Sequence, residues 1–148
     1  MILKNTILLN DKRHIYEIEN EKSNCVFLHG KKIESDRNII EISVTDELCI
    51  ITTEYPLKRF DDYSCDKSNI DAYDWNGNHM WNISEITGEK TFFFGANLNT
   101  IDFVNYCKGV DISRCNKNHK FLLCQSLDSI LYIIDLDERK VVHKLQSK

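Results

Sequence analysis

The chain has 148 residues, 42% of them hydrophobic and 28% charged, which is the balance of one ordinary globular domain and not of a disordered segment. Five glycines and one proline exclude collagen-like and proline-rich classes. A formal net charge of −4 speaks against a surface that holds nucleic acid through bulk positive charge.

The first residues, Met1-Ile2-Leu3-Lys4-Asn5-Thr6-Ile7-Leu8-Leu9-Asn10, run straight into Asp11-Lys12-Arg13. They lack the continuous apolar stretch of about 7 to 15 residues that a secretory signal needs. No later stretch approaches the roughly 18 apolar residues of a membrane helix. The cytoplasm is the expected compartment, with no membrane partner.

Taken in chain order, apolar and β-branched runs predict strands over 13–18 and 24–29. Next, Ile40, Ile42 and Val44 alternate with Glu41, Ser43 and Thr45, the period of a half-buried strand. Asp46-Glu47 then separates that run from another over 48–55, so the two read as a hairpin. Further strands are expected over 70–75, 79–86, 91–95, 120–125, 130–136 and 140–145. One short helix is expected over 101–108, with Thr100 to cap it and Gly109 to end it. The sum is an all-β domain over 1–148 with about ten short antiparallel strands and at most one short helix.

Within this pattern a hairpin recurs. Ile70 to Ile83 reads strand, turn, strand around Asn76-Gly77, a pair suited to a type I′ turn. Sixty-one residues later, Leu131 to Leu145 repeats the layout, with Asp135 in the place of Asp74 and Val142 in the place of Trp81. A looser copy covers 13–28, so the three hairpins lie near 13–28, 70–86 and 130–145. The segment Ala72-Tyr73-Asp74-x-Asn76-Gly77-Asn78-x-x-Trp81 resembles the outer hairpin of β-propeller blades of the quinoprotein-like and WD-repeat kind. The resemblance implies a propeller-like arrangement. Because propellers take at least about four blades and three units are visible here, the readings are a partial propeller, a half that pairs through strand edges as a homodimer, or a β-sandwich or barrel.

Cys25, Cys49 and Cys124 sit in apolar runs, where a thiol behaves as a small buried hydrophobe. Cys65, Cys107 and Cys115 sit in polar surroundings. No C-x-x-C pair exists, and Cys107, Cys115 and Cys124 are too widely spaced for a zinc turn, which leaves only an irregular site completed by His119 as a metal reading. The histidines, His14, His29, His79, His119 and His143, show no H-x-x-x-H pair, and His79 and His143 read as packing residues on hairpin strands. G-x-S-x-G and glycine-rich phosphate loops are absent, so no catalysis and no cofactor are expected. Lys31-Lys32, Lys117 and Lys120 make local patches and not the stripe that nucleic acid requires.

Acidic residues concentrate between positions 54 and 74. Glu54, Asp61, Asp62, Asp66, Asp71 and Asp74 face only Lys58, Arg59 and Lys67, so this window carries three of the four net negative charges. A calcium loop does not fit, since Tyr73 occupies a position where an oxygen ligand is needed. Residues 56–69 are either a solvated loop or an acidic recognition loop bearing aromatic anchors. The second reading places a partner-binding site at Asp61, Asp62, Tyr63, Asp66 and Trp75, where carboxylates steer a basic protein toward aromatic contacts. In size and charge the chain is similar in type to bacterial immunity proteins, which neutralise secreted toxin nucleases. The expectation is a non-catalytic binding module of that kind. A propeller-derived scaffold, or an enzyme with scattered His, Asp and Glu residues, stands as the alternative.

Overall fold

The computed structural model describes residues 3–9, 12–18, 24–55, 67–99, 116 and 118–146. The expected helix over 101–108, together with Cys65, Cys107 and Cys115, lies outside them. The described chain is strand-dominated, as expected, with twelve strands and one five-residue helix. No helix among the described residues is long and apolar enough to cross a membrane.

The strands form three antiparallel sheets, each a meander of four consecutive strands. The first sheet contains β1 (Leu3–Leu9), β2 (Lys12–Ile18), β3 (Cys25–Leu28) and β4 (Lys31–Glu34). The second contains β5 (Ile39–Val44), β6 (Leu48–Thr53), β7 (Ile70–Asp74) and β8 (His79–Asn82). The third contains β9 (Phe93–Asn99), β10 (Phe121–Ser126), β11 (Ile130–Asp135) and β12 (Lys140–Gln146). The chain divides into two compact units, Met1–Ile83 with the first two sheets and Ser84–Lys148 with the third.

The division falls inside α1 (Ile83–Thr87), where the sequence pattern had suggested that a strand continues to residue 86. The helix stops because Gly88 takes φ +72 and donates its N–H to Ser84 O at 2.9 Å, a glycine C-terminal cap.

In the first unit the two sheets share one core. Val26, Leu28 and Ile33 of the first sheet pack with Cys49, Ile51 and Trp75 of the second, and Ile39, Ile42, Val44 and Tyr73 close around them. Burying each such aliphatic side chain contributes about 1.5–3 kcal/mol, so this shared cluster holds the two sheets together. The two central strands of the third sheet, β10 and β11, are buried on both faces. Phe121, Leu123, Leu131 and Ile133 form a cluster with Val142 and Leu145 on one side, and Leu122, Cys124, Tyr132 and Ile134 are buried on the other. That double burial explains why β10 and β11 read as continuous apolar runs with no alternation. Cys25, Cys49 and Cys124 are buried, as their surroundings predicted. Burial pushes the Cys49 thiol up to about 12.

The turns set the register of the repeats, and they differ from the sequence reading in three ways. At Asn76-Gly77 only the glycine is left-handed, at φ +84. Asp74 O accepts from Gly77 N, and Asp74 N donates to Asn78 O, each at 3.0 Å. This is a three-residue loop ending in a left-handed glycine, and not a type I′ turn. The Asp74 carboxylate explains the choice, because its Oδ1 accepts from Asn76 N at 3.0 Å and Asn78 N at 2.9 Å and holds the backbone right-handed until Gly77. The two-residue turn with both φ positive lies instead at His29 (φ 49) and Gly30 (φ 85), between β3 and β4.

Secondly, the hairpin at 13–28 joins the second and third strands of its sheet, whereas those at 70–86 and 130–145 join the third and fourth. The counterpart in the first sheet is β3–β4, so equivalent third strands begin at Cys25, Ile70 and Ile130. Thirdly, Trp81 pairs with Ala72, while His143 pairs with Ile133 and Val142 occupies the bulge. The equivalent of Trp81 is therefore His143, displaced by one because the β11–β12 turn has one more residue.

Candidate functional site

Of the five residues expected to contact a partner, Asp61, Asp62, Tyr63 and Asp66 lie in the segment 56–66, outside the described residues. The shoulders of that segment are well defined. Thr53 N donates to Asn69 O at 2.9 Å, and Asn69 Nδ2 donates to Thr53 O at 2.8 Å, so the chain leaves β6 and rejoins β7 across a closed pair. The Asn82 side chain at the end of β8 then grips Ser68 like a second peptide group. Its Oδ1 accepts from Ser68 N at 3.2 Å, and its Nδ2 donates to Ser68 O at 2.9 Å. Asn82, Ser68 and Asn69 are all buried, so these bonds form in a low-dielectric site where a missing partner would be costly.

Outside this clasp lies a small ionisable cluster. Asp71 Oδ1 accepts from Asn82 Nδ2 at 3.0 Å and from His79 Nε2 at 2.8 Å. The Tyr73 ring meets the His79 ring edge-on at 5.2 Å. Burial first, then the Asp71 charge, raises the Tyr73 hydroxyl to about 12, so it remains a neutral donor. Ser68 Oγ donates to Asn69 Oδ1 at 3.4 Å.

Trp75 departs from its expected role. It follows β7 at the end remote from the 54–69 connection, roughly 16 Å along the strand at about 3.3 Å per residue. Only 8% of its surface is exposed. Its indole N–H donates to Thr45 O at 3.0 Å, and its ring meets His29 edge-on at 5.9 Å. It is a rivet that joins the β5–β6 turn to the core of the first unit, and it offers no ring to a partner. Sequence proximity to the aspartates could not show this, because a strand carries neighbouring residues to opposite ends of a sheet.

Two further polar centres lie in the second unit, and neither had a signal in the sequence. At one, His119 Nδ1 donates to Asp135 Oδ2 at 2.8 Å, and Asp135 Oδ1 accepts from Asp137 N at 2.9 Å and Glu138 N at 3.0 Å. Asp137 Oδ2 accepts from Lys120 N at 2.8 Å. The bond to Asp135 raises the His119 pKa against an opposing effect of burial, and the charges of Asp135, Asp137 and Glu138 raise it further. At the other, Glu89 accepts from the Tyr132 hydroxyl and lies 3.2 Å from Lys144 Nζ, which also sits 5.2 Å over the Tyr132 ring. Those bonds hold the Glu89 carboxyl below its usual range, and burial pushes the Tyr132 hydroxyl upward.

His119, Asp135 and Asp137 bring ligand-type atoms within 4.8 Å of one another, the one such group among the described residues. A cation would have to compete for atoms already in use. Both Asp135 oxygens and the Asp137 Oδ2 are hydrogen-bonded, and the Asp74 turn builds the same carboxylate box with Asn76 and Asn78 and no histidine. The group is a hydrogen-bonded clasp.

No protein-family model matches the chain, and no curated protein matches it in sequence.

Proposed function

We propose that the chain is a non-catalytic protein-binding module that acts in the cytoplasm, most concretely an immunity-type inhibitor that binds and neutralises a basic toxin enzyme such as a nuclease. The observation that carries this reading is the pinned base of the acidic segment. Asn82, Asn69 and Thr53 fix both shoulders of the 54–69 connection to the sheet. That connection bears Asp61, Asp62, Tyr63 and Asp66. A rigid base lowers the ordering cost of binding, and a local excess of carboxylates accelerates encounter with a cationic surface. The free buried thiol of Cys49 suits a reducing compartment.

The test is affinity purification from the source cells with the tagged wild-type chain and with the Asp61→Lys, Asp62→Lys, Asp66→Lys triple variant. A basic protein retained by the wild type and lost from the variant is expected, with the difference shrinking as salt rises. Equal recovery by both chains would remove these aspartates from the site.

A second reading, a propeller-derived subunit that completes a larger assembly by pairing strand edges, is favoured by the three consecutive four-stranded meanders. Light scattering separates the two, because the scaffold reading requires a self-associated species and the inhibitor reading does not.

A further inference from the structure

We infer that the His119–Asp135 pair is a proton-operated latch on the approach to β10, tight when the imidazole carries its proton and slacker when it does not. Asn116, Asn118 and His119 are joined by backbone and side-chain bonds. His119 N donates to Asn116 O at 3.1 Å, and Asn118 N donates to Asn116 Oδ1 at 2.9 Å. From there the chain is fastened to the β11–β12 turn at three points. His119 reaches Asp135, Lys120 N reaches Asp137 Oδ2, and Leu136 N donates to Lys120 O at 2.9 Å. The central acceptor, Asp135, is only 2% exposed, so little solvent competes for it.

The charged groups that raise the His119 pKa are carboxylates. Asp135 faces it from the end of β11, and Asp137 and Glu138 face it from the turn that follows. Two cations lie nearby in the chain, Lys120 on the same segment and Lys140, whose Nζ pairs with Glu138 Oε2 at 3.0 Å. A protonated imidazole therefore adds a charge attraction to the hydrogen bond, whereas a neutral Nδ1–H tautomer keeps only the bond. The Asp74 turn supplies an internal control. There the second carboxylate oxygen accepts from Asn78 Nδ2 at 3.1 Å, a partner that does not titrate.

The direction follows from the raised folded-state pKa of His119. The hold is fully present below the unfolded value of about 6.5, and it is lost as pH rises through the folded value. The test is amide hydrogen exchange on the full chain between about pH 5.5 and 8.5, corrected for intrinsic rates, with His119 followed through its ring-carbon protons. Protection at the Leu136, Asp137 and Glu138 amides should fall as His119 loses its proton, by roughly tenfold for each unit by which its pKa is elevated. Protection at the Asn76 and Asn78 amides should stay level. In His119→Gln the pH dependence at the β11–β12 turn should vanish while the fold is kept. The inference is overturned if the variant keeps the trend, if both turns share it, or if protection is flat while His119 titrates.

Discussion

In the first unit, a long connection is fastened to the sheet by neutral amides. Asn82 pairs with both backbone groups of Ser68, and Asn69 pairs with Thr53. In the second unit the comparable fastenings use ionisable side chains, with His119 on Asp135 at one place and Glu89 on Tyr132 and Lys144 at another. The first kind rests on burial and geometry, through amide groups that do not themselves titrate. The second kind is graded by pH and, where exposed, by salt. Two units of one chain thus fasten the chain beside a strand in two ways, with different sensitivities to their surroundings.

Three substitutions test that contrast. The largest effect is expected for Asn82→Ala, which leaves Ser68 N–H and C=O buried without their partner. A loss of about 3 kcal/mol in urea unfolding, equal at pH 6 and pH 8, is the expected outcome. A loss that changed with pH would mean that the His79–Asp71 pair carries the clasp. Asp135→Asn should cost less, about 1 kcal/mol, because the amide oxygen still accepts from Asp137 N and Glu138 N. Its diagnostic consequence is a return of the His119 titration toward its ordinary range, read from ring-proton shifts.

Glu89→Gln should have the smallest effect, roughly half a kcal/mol or less for so exposed a group. Its sign is nonetheless clear. Glu89 has a lowered folded-state pKa, so its contribution is present above the unfolded value of about 4.3 and disappears as pH falls through the folded value. Melting curves of wild type and variant should converge on acidification below that range. Curves that stayed parallel would show that Tyr132 and Lys144 do not depend on the carboxylate.

Much of the fold could be read from residue order. Period-two alternation marked β5, and apolar runs bounded by turn residues marked β6, β7, β10, β11 and β12. The misses have physical causes. β4 is Lys31-Lys32-Ile33-Glu34, three of whose four side chains face water. It reads as a loop unless the His29-Gly30 turn is known to reverse the chain before it. β1 is separated from β2 by the turn pair Asn10-Asp11, but its apolar residues come in short pieces broken by Lys4-Asn5-Thr6 and do not alternate as a half-buried strand would. The helix α1 follows β8 without a break in hydrophobicity, and Ile83 is as buried as a strand residue would be.

The candidate site was less legible. A charge excess is countable in a sequence, but the side-chain bonds that hold its base are not. Asn82 meets Ser68 across 14 positions and His119 meets Asp135 across 16, and nothing local in either pair announces the other. Trp75 was misplaced for the same reason, since its hydrogen bond spans 30 positions.

Both tryptophans of the chain, Trp75 and Trp81, belong to the first unit. Trp75 is hydrogen-bonded and lies edge-on to His29, while Trp81 is 2% exposed with an indole N–H that finds no acceptor among the described residues. Intrinsic fluorescence is therefore a reporter on one half of the molecule. Its unfolding trace follows the first two sheets, and the third sheet is optically silent at tryptophan wavelengths. Circular dichroism sees all three sheets, so a gap between the two traces would measure how far the units unfold separately.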